Sequence, residues 1–409
     1  MANKTRKDKK GYMLRTGECQ RKDGRYSYAY TDRWKKRHVV YATSLVELRE
    51  LEKQIRMDLD SGIDPNAAKT MTVNDVFDRY ISRKYDLKPT TKSNYQFNYD
   101  HFVREGFGQE KIGKIRYSDV KKFYYDLMKE RGIKPRTLDG VNTVLHSTFK
   151  MAVRDEIIRS NHAEGVMAEI KKSDLWVKTR RRGLTVPEQR ELVEFMKDSH
   201  QFKGWVPVIT VLLGTGMRIG ECLGLRWEDI DLDKRLISVN HNLVDYQDRD
   251  IKKQVRKIQT TKTRAGVRMI PMIDEVYEAF ITEFELQSAI GFCEEEIDGY
   301  SGFIFTTTDQ KLMSRSAVNN ALHRIVRIHN EEEEKKAKAE GREPILIPQL
   351  SAHHLRHTFC TRFCENETNL KVIQSIMGHS DITTTMDIYA DATPEKKQEI
   401  MANLNGKIF

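Results

Sequence analysis

The sequence predicts a multidomain α+β protein: a small basic β-sheet-plus-helix domain, an all-helical domain, and a larger mixed, mainly helical domain. Three observations lead there. The chain has 409 residues, and one domain usually takes about 100–200. Its positive charge is concentrated at one end: residues 1–40 hold 13 Lys or Arg against 4 Asp or Glu, which is +9 of the total +10. Its apolar periodicity changes along the chain, from strand-like alternation to helical spacing and then to a mixture of both.

Composition excludes several classes. Apolar residues make up 39% and charged residues 32%, and 16 Phe, 16 Tyr and 4 Trp supply material for cores, so wholesale disorder is not expected. The longest apolar stretch, WVPVITVLLG at 205–214, has ten residues. A membrane span needs about 20, so this stretch reads as a buried helix and no membrane partner is expected. The basic opening lacks an apolar segment behind it, and no secretory signal is expected. The five cysteines include no CxxC pair, which fits free thiols in a reducing cytoplasm. His353, His357, Cys360 and Cys364 lie close in sequence but lack the zinc-finger spacing and the HExxH arrangement, so no metal is expected there.

The first module spans residues 1–65. Residues 1–10 read as disordered. RYSYAY and RHVVYA alternate as two short strands, 25–30 and 37–42, and a charged helix follows at about 45–59. Tyr26, Tyr28, Tyr30 and Tyr41 fit either the core or a nucleic-acid contact, and core is the simpler reading for most. The surplus of positive charge points to a polyanion, most simply nucleic acid.

The second module, 70–168, is all helical. Thr72 and Asp75 form a capping-box variant ahead of VNDVFDRYISRKY. Further helices are expected at 91–105, 117–129 and 137–158, the last carrying Val141, Val144, Leu145, Phe149 and Ala152 at near-helical spacing. A basic linker occupies 169–182. The third domain, 183–392, opens with a capping box at Thr185 and Glu188. Helices at 205–213 and from 221, strands at 236–240 and 252–258, and a turn at 264–266 follow. A return strand at 267–270, a helix at 274–283, a short strand at 303–306 and a helix at 319–330 complete the expected elements. The charged stretch 331–344 reads as a solvated helix or a mobile loop, with a contact to another protomer as a further option. A tail at 393–409 closes the chain.

Two arginines stand in telling contexts. Arg218 lies in LLGTGMRIGECLGL and Arg356 in HHLRHTF, each among apolar residues. A charge so placed needs a partner or a task. Two such arginines could clamp one phosphodiester through their rigid donor forks; singly, each fits a buried salt bridge equally well. His353 precedes Arg356 by about one helical turn.

Five motifs occur in order: TGMRIGE with Arg218 and Glu221, KTRAGVRMIP with Lys262, HHLRHTF with His353 and Arg356, MGHSD with Gly378 and His379, and TTTMDIYA with Tyr389. Together they resemble the tyrosine recombinases, the phage integrase family, over almost the whole chain. The closest resemblance is to integrases of Gram-positive conjugative transposons, whose short basic sheet domain binds arm sites in the element ends.

The resemblance implies a tyrosine-recombinase catalytic domain at 183–392, a core-site DNA-binding domain at 70–168 and an arm-site DNA-binding domain at 1–65. It implies site-specific DNA recombination, the integration and excision of a mobile element, without metal, ATP or other cofactor. Tyr389 would be the nucleophile, giving a 3′-phosphotyrosyl bond. Arg218 and Arg356 would stabilise phosphate charge, Lys262 would be the general acid, and His353 and His379 would assist at the phosphate. Lys257 and Arg268 compete with Lys262, and the hairpin register selects Lys262. Glu221 would orient Arg218 or buttress the fold. His354 would be a DNA-facing or surface residue and His357 structural. Where many members carry a second His two residues after the nucleophile, this chain has Asp391, outside the core catalytic set.

Implied partners are double-stranded DNA with core and arm sites, a homo-tetramer on two duplexes, an excision accessory protein and a host DNA-bending factor. The tail would dock on a neighbouring protomer or pack on its own core. Two other readings are a topoisomerase-like DNA-relaxing enzyme and a non-catalytic DNA-binding regulator. The arm-like module argues against the first, and the presence of Arg218, Arg356 and Tyr389 against the second.

Overall fold

The computed structural model describes residues 6–32, 35–60, 65–176, 182–249, 251–260, 266–367, 369–378, 381–383, 386 and 402. The chain divides into two compact units, Met1–Lys178 and Thr179–Phe409.

The first unit opens with a three-stranded antiparallel sheet, β1 (Glu18–Gln20), β2 (Tyr26–Thr31) and β3 (Arg37–Ala42), followed by helix α1 (Leu45–Asp60). Alternation along YSYAYT puts Tyr26, Tyr28 and Tyr30 on one face, where they are buried with Leu48 and Ile55 of α1. These three are core. Tyr41 points the other way, exposed, with the Arg21 guanidinium 5.0 Å from its ring centre. Residues 6–10 are ordered, contrary to the sequence expectation. Lys7 bridges Met13, and the buried Asp8 accepts a 2.6 Å hydrogen bond from the Tyr26 hydroxyl. Backbone N–H groups of Lys10 and Tyr12 donate to the same carboxylate. The basic composition of this segment conceals one carboxylate that a buried phenol requires.

Helices α2 (Pro65–Thr70), α3 (Val73–Ser82), α4 (Pro89–Phe102), α5 (Tyr117–Lys129), α6 (Pro135–Arg154) and α7 (Val166–Ile170) build the rest of this unit. The box at the start of α3 forms as expected: Thr72 Oγ1 accepts from Asp75 N at 3.1 Å, and Asp75 accepts from Thr72 N at 2.7 Å. α6 is the central helix, its stripe from Leu138 through Val141, Val144, Leu145, Phe149 and Ala152 fully buried. Phe77 of α3 and Tyr99 of α4 stack with ring centres 3.6 Å apart beneath Arg104. α2 and α7 escape sequence reading because so few residues cannot display a helical period. Ile170 is buried in this core, and Trp176 packs against it.

The second unit comprises α8 (Val186–Asp198), α9 (Val206–Thr215), α10 (Ile219–Leu223), β4 (Ile230–Asp231), β5 (Leu236–Val239), β6 (His241–Asp248), β7 (Lys253–Thr260), β8 (Arg268–Pro271), α11 (Asp274–Ile290), α12 (Arg315–Glu340), α13 (Ala352–Asn366) and α14 (Leu370–Met377). α9 is the buried helix expected from WVPVITVLLG, and its core is shared with α10, α11, α12 and β5. The sheets have the orders β4-β5-β8 and β6-β7.

Contrary to the sequence expectation, β8 does not return against β7. It pairs with β5, Ile237 opposite Ile270, while β7 pairs with β6 from His241 opposite Thr260 to Asp248 opposite Lys253. β6 reads as polar, HNLVDYQD, yet His241, Leu243, Val244 and Tyr246 are buried, so its inward face was hidden among polar neighbours. The expected strand at 303–306 is only a pair of isolated bridges, Arg226 to Phe303 and Thr306 to Leu312.

The charged stretch after residue 330 is the last third of α12. Its buried Glu333 accepts from Arg342 Nη2 at 3.0 Å, and that hydrogen bond draws the carboxyl down to about 2. Gly341, at φ +65°, turns the chain so that Arg342 can fold back. The tail at 393–409 lies outside the described residues apart from Ala402. Among the described residues no helix is long and apolar enough to cross a membrane.

Phe149 is fully buried in the helical core and Tyr85 is 89% exposed. Chemical denaturation should show Phe149→Ala losing about 3–5 kcal/mol and Tyr85→Ala staying within about 0.5 kcal/mol of the parent.

Candidate active site

α9 ends where the chain must turn sharply. Gly216 takes φ +62°, and its backbone N–H caps Leu212 O. A Cβ there would meet Phe359 at 2.3 Å and Met377 at 3.0 Å, so the position is closed to larger residues by space as well as by conformation. Two residues on, Arg218 is the N-cap of α10 with Glu221 at the third helical position. The Glu221 carboxylate accepts from the Arg218 backbone N–H at 3.0 Å and from Arg218 Nη1 at 2.7 Å. It also accepts from Arg268 Nη2 at 2.9 Å, and Glu221 and Arg268 are both buried.

Burial by itself would push the Glu221 carboxyl up. The charges of Arg268 and Arg218 more than offset this and hold it below the ordinary glutamate range. Glu221 therefore both orients Arg218 and buttresses the fold.

Three arginines from three elements meet the end of one helix. Arg268 Nε of β8 donates to Ile376 O at 2.6 Å, Arg356 Nη2 of α13 to Met377 O at 2.7 Å, and Arg218 Nη2 to Gly378 O at 3.2 Å. These are the final carbonyls of α14 and its left-handed cap, Gly378 at φ +62°. A helix C-terminus presents unpaired carbonyls and partial negative charge, and guanidinium groups suit both. Arg356 Nη1 also donates to Gly216 O at 2.6 Å, tying the end of α9 to the end of α14.

The guanidinium groups differ in access. Arg356 is buried, and burial followed by the neighbouring charge of Arg218 pushes it down to about 10, so it remains a cation at neutral pH. The Arg218 side chain is 46% exposed. Two cations held beside one another, one open to solvent, form a site whose mutual repulsion an anion would relieve.

His353, one turn before Arg356 on α13, is exposed at the surface. His354 is the third residue of α13 and its ring completes a capping box with Ser351, whose backbone N–H lies 3.1 Å from Nδ1. His357 lies on the same helix beside Thr361. Arg268 is engaged on every nitrogen, the third bond running from Nη1 to Gly266 O at 3.1 Å, so it competes poorly for an acid's role. Lys257 sits within β7 opposite Val244, exposed. Lys262, His379 and Tyr389 lie outside the described residues. Cys360 and Cys364, one turn apart on α13, are buried with Ile373 and Met377 in an apolar cluster.

Sequence reading missed the joint role of Arg268. The signal was present: in VRMIP the inward strand positions are Arg268 and Ile270, and an inward arginine requires a carboxylate.

The Phage integrase family profile matches residues 182–396, and the profile described as the DNA binding domain of tn916 integrase matches residues 2–59. The transposase from transposon Tn916 of Enterococcus faecalis is 31% identical over 413 residues, covering 98% of this chain and 96% of that protein. The chain belongs to the phage integrase family. The transposase from transposon Tn1545 of Streptococcus pneumoniae matches this recombinase to the same extent, 31% identity over 98% of the chain and 96% of that protein. A solved structure of the Tn1549 transposon integrase, in complex with transposon right end DNA, shares 29% identity at a TM-score of 0.70 over 82% of this chain and all of that one. The recombinase is thus a close relative of Gram-positive conjugative transposon integrases, and its reaction is site-specific DNA recombination of the tyrosine-recombinase type.

Because the folded-state pKa of Glu221 is depressed, its ion pairs stabilise fully above the unfolded value of about 4.3 and are lost as pH falls through the lower folded value. Glu221→Gln should lower stability at neutral pH by about 3–5 kcal/mol, because Arg268 is left buried without its carboxylate. Denaturation midpoints measured from neutral pH down through the acid range should fall less steeply in the variant than in the parent.

Proposed function

We propose that Arg218 and Arg356 bind the scissile phosphate of double-stranded DNA at the end of α14, and that Tyr389 attacks it. The observation that carries this reading is the convergence of two cations on the carbonyls immediately preceding His379. Attack by the Tyr389 oxygen forms a phosphotyrosyl ester at the 3′ end and breaks the bond to the 5′ oxygen. Lys262 gives the departing 5′ oxygen its proton. The two arginines stabilise the charge that grows on the non-bridging oxygens. His353 assists at the phosphate or relays the tyrosine proton, and His379 hydrogen-bonds the phosphate. An unperturbed tyrosine titrates near 10, so attack by Tyr389 needs a base or cationic surroundings. A 5′-hydroxyl of a second duplex then attacks the ester and releases Tyr389. Bond energy is conserved in the ester, so the exchange needs no ATP, and the arginines supply the charge stabilisation that a metal would otherwise provide.

This chemistry serves the integration and excision of a mobile element. Each exchange cuts four strands and each protomer offers one Tyr389, which supports a homo-tetramer on two duplexes. Residues 1–65 would hold arm sites and residues 70–168 core sites, with 169–182 as the basic linker between core-site domain and catalytic domain at 183–392. The capture of transposon right end DNA by the Tn1549 relative supports element ends as the substrate. An excision accessory protein and a host DNA-bending factor complete the set of partners, in the cytoplasm.

A nicked duplex carrying an element end, which loses a short fragment on cleavage, traps the covalent step. On a denaturing gel with chelator present, the parent should give a protein–DNA adduct and Tyr389→Phe none. Sequence-specific binding to the same duplex without any adduct in the parent would overturn the assignment. Arg218→Ala should slow adduct formation by about 100–1000-fold, the usual effect of removing one donor to a developing oxyanion.

A further inference from the structure

We infer that Arg268 is a positioning residue for strand cleavage: through Glu221 and Ile376 O it fixes the guanidinium of Arg218 against the end of α14. The inference rests on the reading above that Arg218 binds the scissile phosphate.

The Glu221 carboxylate receives three donors, the Arg218 backbone N–H, Arg218 Nη1 and Arg268 Nη2. With both ion pairs intact it stays charged although it is buried, and a charged carboxylate is the stronger acceptor. Arg268 then fixes where that carboxylate stands. Its three nitrogens reach three points: Glu221 on α10, Gly266 O two residues before β8, and Ile376 O on α14.

The Arg218 side chain, by contrast, is nearly half exposed and has two anchors among the described residues, Glu221 and Gly378 O. The anchors of Arg218 and those of Arg268 thus pair up. Both arginines hold the same carboxylate, and they hold carbonyls two residues apart on the same helix end. A shift of α14 relative to β8 would move Gly378 O and Glu221 together only while Arg268 joins them. Without Arg268, Glu221 loses its buried partner and the exposed arginine loses its fixed reference. Lysine could keep the charge but has one nitrogen, which cannot meet three points in different directions.

The test uses the full chain and the nicked element-end duplex, with either an ordinary scissile phosphate or a methylphosphonate at that position. The methylphosphonate has no charged non-bridging oxygen, so it depends less on Arg218. Arg268→Gln should slow single-turnover cleavage of the phosphate substrate by about 10–100-fold, the usual effect of removing an outer partner, while DNA affinity stays within about twofold. The deficit should shrink on the methylphosphonate, as that of Arg218→Ala does. The double variant should be no more than about twofold slower than Arg218→Ala, since the two residues act as one unit.

If Arg268→Gln fails to fold, Arg268→Lys carries the same three comparisons with a smaller deficit. Equal slowing on both substrates, losses that multiply with those of Arg218→Ala, or an unchanged rate in the Arg268 variants would each overturn the inference. An Arg218→Ala enzyme that cleaves the phosphate substrate at the parent's rate would instead overturn the reading on which it rests.

Discussion

One buried carboxylate, Glu221, makes it possible for like charges to crowd the end of a helix. Arg218, Arg268 and Arg356 all aim donors at the last carbonyls of α14, and Glu221 supplies the only full negative charge among the hydrogen-bond partners described for them. The helix end contributes partial negative charge. This leaves the cluster with surplus positive charge, part of it on the exposed Arg218, which is the electrostatic condition for receiving a phosphodiester.

The rest of the second unit can be traced from that constraint. α9 must end at a glycine, because a side chain at Gly216 would collide with Phe359 and Met377 where α9, α13 and α14 meet. α10 must start at an arginine whose own capping partner is the shared carboxylate. β8 must pair with β5, since that places Arg268 inward beside Ile270 with its side chain toward α14. α13 is held by a second set of bonds: Leu184 N donates to Thr358 Oγ1 at 2.9 Å and Arg362 Nη2 to Leu184 O at 2.7 Å. Cleavage chemistry of this kind asks for charge in a fixed place more than for reactive groups, and the packing of four elements supplies that placement.

Much of this was legible in the residues. Capping boxes marked the starts of α3 and α8, patterning gave α1 and α5 within a residue, and the stripe of α6 foretold its buried face. The five motifs placed Arg218, His353 and Arg356 in one domain, and the structure brings Arg218 and Arg356 to one helix end. What was not legible depends on partners distant in sequence. β6 looks polar because its buried positions alternate with solvent-facing ones. The pairing of β8 with β5 is a choice of topology that no local pattern encodes. Asp8 is ordered by Tyr26, and Glu333 by Arg342, so a charged run became structure through single long-range bonds. Arg268 looked like a rival to Lys262 until its three partners were visible.

The proposal that Tyr389 attacks a phosphate bound by the arginines at the end of α14 can be tested at the atom that forms the ester. The most direct measurement is mass spectrometry of the trapped protein–DNA adduct after proteolysis and nuclease digestion, to locate the residue that carries the nucleotide. The nucleotide mass on the peptide containing Tyr389, and on none of the other 15 of the 16 tyrosines, is the predicted result. The same mass on any other residue would contradict it.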